Sequence, residues 1–223
     1  MGRARNQGKT VSLEHIRGSR LENSPAQDTA ARIVAEATRL FAEKGYDGVS
    51  IKDISETAGV NIAAVNYHFN SKENLFHHIV EQFLSEMFDS ARKTLFPPES
   101  PEDLKVRLEI FVRQTVEAII RQPDVMTIIQ REGSRSNEIF RKTISRSRVA
   151  LIEFLGHAST IGLLADDIDP DFAAGFLIAQ IAQGTRRDRA KKEMFGQSAA
   201  SERYRDQWIH RTLRLFLGGV MAK

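Results

Sequence analysis

Between Ser50 and Phe69 this sequence has room for two short helices joined by a tight turn, and for little else. Ile51, Ile54 and Ala58 recur at spacings that put them on one face of a helix, and Gly59 stops that helix. Only Gly59 and Val60 intervene before Asn61, a residue type that caps helix starts, and a third run then carries Ile62, Val65 and Phe69 toward a core. Upstream, Ile33, Ala37, Leu40 and Phe41 form the apolar stripe of a helix predicted to open at Asp28 or Thr29 and to end at Gly45. Asp47-Gly48 makes a turn. Ser50 followed three residues later by Asp53 has the spacing of a capping box, in which side chain and backbone cap each other reciprocally. Asn70-Ser71 is a further cap, launching a long helix from Lys72 to about Leu95.

Two short helices around a glycine turn make a helix-turn-helix, whose second helix lies in the DNA major groove while the first crosses the backbone. That geometry exposes Asn61, Ala63, Ala64, Asn66 and Tyr67 to base edges. Asparagine pairs bidentately with adenine, and an alanine methyl meets a thymine methyl. Phosphate contacts fall to Ser50 and the free helix-start amides, the Tyr67 phenol, the His68 imidazole and Lys72. Lys52 reaches either phosphate or a base edge. The competing reading makes Tyr67, His68 and Phe69 packing residues, and for Phe69 packing is the expected role.

These residues resemble a known family. Three helices, the run GVNIAAVNYHFNSKENLF over residues 59–76 and the long helix that follows look like the DNA-binding domain of the TetR family of one-component bacterial regulators. The glycine turn, the aromatic pair and the Ser-Lys cap stand at that family's spacing. Where the family usually carries tyrosine after the apolar residue, this chain has Asn66, with Tyr67 next, as in a subgroup with Asn-Tyr-His-Phe there. Beyond this stretch the likeness is one of general layout.

Charge supports the reading only in its distribution. The 223 residues carry a net charge of just +3. Residues 1–27, poor in large apolar side chains, hold five basic and two acidic residues, whereas residues 28–75 are net −2. The first segment reads as a basic arm, either entering an adjacent minor groove or simply solvated. The acids of 28–75 are compatible with DNA binding if they sit away from the phosphates.

The remainder is helical. Leu75, Phe76, Ile79, Val80, Phe83, Leu84, Met87 and Phe88 stripe the fourth helix, which Pro97-Pro98 ends. Ser100-Pro101 starts a fifth helix reaching about Arg121, and Gln122-Pro123-Asp124 interrupts the chain before a short helix over 125–132. A loop over 133–137 precedes a helix from Glu138 to about Ile161. Asp169-Pro170 opens the next helix, a helix end and a loop are expected over Gly184 to Ser201, and a last helix runs from Glu202 to Val220, with Gly218-Gly219 closing it. No stretch alternates strictly enough for a strand, so the fold class is all-α: a basic arm (1–27), a three-helix helix-turn-helix domain (28–75) and a C-terminal helical bundle (76–223).

The resemblance implies more than the residues show. It implies a homodimer through the last two helices, where Phe176, Gln180, Trp208, Leu213 and Phe216 are candidates, set among small residues that suit close helix packing. It also implies a pocket for a small-molecule effector within the bundle, with Phe83, Met87, Phe111, Met126, Phe140, Phe154 and Phe176 as candidate lining. Each of these is also an ordinary core residue type. Arg131 and Glu132 are either polar anchors in that wall or a salt-bridged helix end, the second being favoured.

Catalytic and metal signatures are sparse. Zero cysteines exclude thiolate metal sites and cysteine nucleophiles. His77 and Glu81 offer only two ligands, and the acidic run 166–171 lacks the glycine and the glutamate a calcium loop requires. The basic cluster 184–192 reads as a solvated face. No cofactor and no enzymatic activity are expected. No apolar run approaches membrane-span length, so a cytoplasmic location follows. The expected function is a DNA-binding transcriptional regulator, most simply a repressor released from a palindromic operator by its ligand. The alternative is a helical ligand-binding or adaptor protein without sequence-specific DNA binding.

Overall fold

The structure is a computed structural model that describes residues 25–132, 138–186 and 201–222, with side chains from 148 onward in the 138–186 segment and through 184. Among the described residues the chain forms nine helices and no strand. They are α1 (Pro25–Lys44), α2 (Ile51–Thr57), α3 (Ile62–Phe69), α4 (Lys72–Thr94), α5 (Pro101–Arg121), α6 (Pro123–Glu132), α7 (Glu138–Thr160), α8 (Pro170–Arg186) and α9 (Glu202–Val220). Residues 1–24 of the expected arm (1–27), the loop 133–137 and residues 187–200 of the basic and polar stretch lie outside the described residues; residues 25–27 belong to α1.

Most starts are written locally. The Ser50 side chain accepts from the Asp53 amide at 3.1 Å while Asp53 accepts from the Ser50 amide at 2.8 Å, completing the capping box. Asn61 caps α3, Ser71 caps α4 and Ser100 caps α5, each accepting from the amide three residues on. Asp169 accepts from Phe172 N in the same way. Each such cap is worth about 1 kcal/mol. Two starts differ from expectation: α1 opens at Pro25 and α6 at Pro123, where proline is free to occupy a first turn. α9 ends at Val220 as expected, with Gly218-Gly219 inside its last turn.

α1, α2 and α3 pack together around Ile33, Ala37, Leu40, Phe41, Val49, Ile54 and Val65. Helices of seven and eight residues are too short to persist alone, so α2 and α3 depend on this burial. Gly45 at φ 76 and Gly59 at φ 64 make the two turns that only glycine adopts without strain. α4 continues the core through Leu75, Ile79 and Phe83 and lies along α5 and α7; α8 and α9 pack on the far side against α7 and α5. Each buried Leu, Ile or Phe contributes about 1.5–3 kcal/mol of transfer free energy. An isolated bridge between Leu164 and Met221 fastens the α7–α8 loop to the residues after α9.

Candidate nucleic-acid interface and its link to the body

α3 presents an uncharged outer face. Asn61, Ala63, Asn66 and Tyr67 are exposed, Tyr67 at 84%, and Ala64 is half-buried. Ile62 departs from expectation. It is 45% exposed and lies on the outer row with Ala63, Asn66 and Tyr67 rather than in the core, where Val65 alone from α3 is buried. The row therefore holds two apolar side chains, one amide and one phenol, the chemistry of direct readout at base edges. Asn61 uses its Oδ1 to cap Ala64 N at 2.7 Å, which leaves its amide NH2 as a donor. His68 is half-buried, edge-on to Tyr67 with centroids 5.2 Å apart, and turns toward a cleft with Val34, Phe69 and Gln82.

The phosphate candidates divide. Lys52 is exposed and makes only a 3.8 Å contact with Glu56. The Ser50 hydroxyl donates its single proton to Asp53 Oδ2 at 2.6 Å, a bond that together with the Ser50 amide holds the Asp53 carboxyl below the usual range. Lys72 is turned inward: its Nζ donates to the carbonyls of Tyr46 at 3.1 Å and Val49 at 3.0 Å and sits 4.2 Å from the Tyr46 ring centroid. Of its three protons two are committed to the α1–α2 turn, and one remains.

That turn is also held from the other side. The Glu132 carboxylate, only 7% exposed, accepts from the Tyr46 amide at 3.3 Å, and the Arg131 guanidinium lies against Gly45 so closely that an added Cβ would meet its Cζ at 3.1 Å. The Tyr46 ring packs on Phe41 and Phe76 at 5.8 and 5.0 Å, and burial, then Glu73 and Asp47, pushes its hydroxyl pKa up. Arg131 and Glu132 thus form a helix end that docks α6 on the α1–α2 turn, and neither lines the cavity of the bundle. No spacing in the sequence marks Tyr46, because the hydrogen bonds that the charged groups make there go to its backbone.

Within the bundle, Phe83, Met87, Phe111 and Met126 come together around a cavity of about 180 Å³, completed by residues including Thr115, Ile119, Ile129, Gln130, Ile178 and Ile181. Phe154 is not among them. It is 2% exposed in the core, while Phe176 is 48% exposed on the surface of α8, and the Phe140 side chain lies outside the described residues. At the candidate dimer face the structure corrects two residues: Leu213 and Phe216 are 5% and 4% exposed, filling the protomer core. Phe176 and Gln180 are exposed, and Trp208 is half-buried over Gly184, where any Cβ would overlap the indole. The large apolar residues that α8 and α9 do expose include Phe172 at 73% and Leu215 at 80%.

Capped short helices around a glycine turn, an uncharged exposed second helix and a helical body define a helix-turn-helix DNA-binding protein. A sequence model of bacterial regulatory proteins of the tetR family matches residues 33–79. The chain is 29% identical over 164 residues to the transcriptional repressor KstR2 of Rhodococcus jostii, covering 69% of this chain and 79% of that one. It is 27% identical over 180 residues to the transcriptional repressor AcnR of Corynebacterium diphtheriae, covering 72% and 84%. The solved structure of the ketosteroid transcriptional regulator KstR2 of Mycobacterium tuberculosis superimposes with a TM-score of 0.67 at 22% identity, over 87% of this chain and 95% of that one. Residues 33–79 thus form a tetR-family DNA-binding domain, and the protein is a DNA-binding transcriptional regulator. No helix among the described residues is long and apolar enough to cross a membrane.

Proposed function

We propose that the protein is a repressor that binds a palindromic operator as a homodimer and leaves it when a small molecule occupies the bundle. Residues 28–75 serve as the DNA-binding domain and 76–223 as the effector-binding and dimerising domain. The observation that carries the reading is the outer row of α3: Ile62, Ala63, Asn66 and Tyr67 read bases, Lys52 and the free amides at the start of α2 engage phosphate, and the last proton of Lys72 joins them. Phe172, Phe176, Gln180 and Leu215 form the face on which a second copy docks, which would set two α3 helices about 34 Å apart, one DNA turn. The named relatives are repressors, which supports the sign of regulation. Its work is recognition in the cytoplasm, not catalysis. Selection from random duplex DNA with purified protein tests this: an enriched inverted repeat is expected, and enrichment of nothing, or of single half-sites only, would defeat the dimeric repressor.

A further inference from the structure

The apolar cavity of the bundle constrains what kind of molecule fits it. α4, α5, α6 and α8 all contribute walls, and among the described residues lining it only Thr115 and Gln130 are polar and none is ionisable. A second cavity of about 280 Å³ opens beside it and shares Phe83, Met87, Phe111 and Thr115 as a common partition. Among the described residues this second cavity carries the carboxylates of Glu86 and Glu117 and one guanidinium, Arg121. Glu86 accepts amide hydrogens from Gln82 and Gln122 and is thus held as an acceptor. Thr115 sits in the partition, 9% exposed, and among the described residues its hydroxyl has no hydrogen-bond partner. Every other threonine of α4 to α6, Thr94 and Thr127, bonds a carbonyl four residues back.

We infer that the effector is an uncharged, largely apolar molecule of about one substituted ring, with a single hydroxyl or carbonyl that bonds the Thr115 hydroxyl where the two cavities meet. The inference rests on the reading of this bundle as the effector domain and specifies its ligand. Size follows from the volume: an apolar cavity of about 150 Å³ holds benzene, so 180 Å³ admits a ring with a short chain. Charge follows from desolvation. An anion in the apolar cavity would find no cation among the described lining residues, and one in the neighbouring cavity would meet, among those residues, two carboxylates against a single arginine. The two methionines, Met87 and Met126, let the wall adapt to ring shape.

The test uses the full chain and three probes of one skeleton: 3-phenylpropanol, 3-phenylpropanoate and propylbenzene. Binding is read by calorimetry, and DNA binding of the same preparation is measured without probe. The alcohol is expected to bind at least tenfold more tightly than the carboxylate. Thr115→Val, which keeps the side-chain shape, is expected to weaken the alcohol by about two- to tenfold, one neutral hydrogen bond, and to leave propylbenzene unchanged. A carboxylate that binds as well as the alcohol would overturn the charge assignment, and an unchanged alcohol affinity in Thr115→Val would overturn the role of Thr115. Failure of all three probes to bind would remove the cavity as the site while DNA binding, if present, kept the regulator intact. Loss of DNA binding with probes still bound would instead defeat the functional reading and not the ligand class.

Discussion

Replacing Lys72 with methionine separates a structural tie from a DNA contact. The substitution keeps the apolar stem but removes an ammonium that donates to Tyr46 O at 3.1 Å and Val49 O at 3.0 Å and stands 4.2 Å over the Tyr46 ring. Hydrogen bonds from a charged donor are worth about 1.5–3 kcal/mol each, and a cation over an aromatic face adds about 0.5–1 kcal/mol. Lys72 is only partly buried, so the low end applies, and the regained hydration of two carbonyls offsets part of it. A net loss of about 2 kcal/mol remains. Urea unfolding followed by circular dichroism, without DNA, is expected to show that loss as a lowered midpoint at unchanged slope. Its thermal counterpart is a fall of about 4–8 °C. With one proton left for phosphate, the slope of log affinity against log salt is expected to fall by no more than about 0.9. An unchanged urea midpoint combined with a full unit lost from the salt slope would refute the tie and make Lys72 purely a phosphate ligand.

Other outcomes follow from the same geometry. Tyr67→Ala, at a side chain 84% exposed, is expected to leave stability within about 0.5 kcal/mol and to weaken operator binding at least tenfold, as a filter-binding or anisotropy titration would show. Leu215→Glu places a charge on a residue 80% exposed in the protomer, and analytical ultracentrifugation is expected to report monomers with intact helicity; a persistent dimer would move the interface elsewhere. Leu213→Glu, by contrast, buries a charge in the protomer core and is expected to unfold the chain. Acid should loosen α2: the Asp53 carboxyl is held low by the Ser50 hydroxyl and amide, so its contribution is complete above the ordinary aspartate range near 4 and is lost as pH falls through its depressed value. Asp53→Asn, which largely keeps the acceptor, is expected to flatten that acid limb of the stability profile.

The parts of this molecule that were legible in its sequence are those whose cause lies within three or four residues. Ser50 with Asp53, Asn61, Ser71, Ser100 with Pro101 and Asp169 with Pro170 each close a hydrogen bond inside one turn, and each marks a helix start that the structure confirms. What local pattern could not settle is which side of a helix with two apolar sides faces inward. On α8 the buried positions went to Ala173, Ala174, Leu177 and Ile181, while the bulkier Phe172 and Phe176 stayed outside. Choosing residues by bulk therefore placed Phe176 in a cavity lined instead by Ile178 and Ile181. Ile62 was misplaced for a related reason: at the first residue of α3 the neighbouring helix does not reach over it. The direction of Lys72 depended on carbonyls 23 and 26 residues away, a distance that no motif spacing encodes.

The grip on the α1–α2 turn bears on how such a protein can change. Glu132 takes the N–H of residue 46 and Lys72 takes its carbonyl, so both charged groups hold main-chain atoms that every amino acid except proline supplies in full. The hydrogen bond by which Glu132 ties the bundle to this turn therefore does not depend on which side chain stands at residue 46, even though the Tyr46 ring adds its own packing and the contact with Lys72. Substitutions along the outer row of α3 touch neither grip. A lineage descending from this chain could rewrite which DNA it reads, position by position, and inherit the wiring to its bundle unaltered.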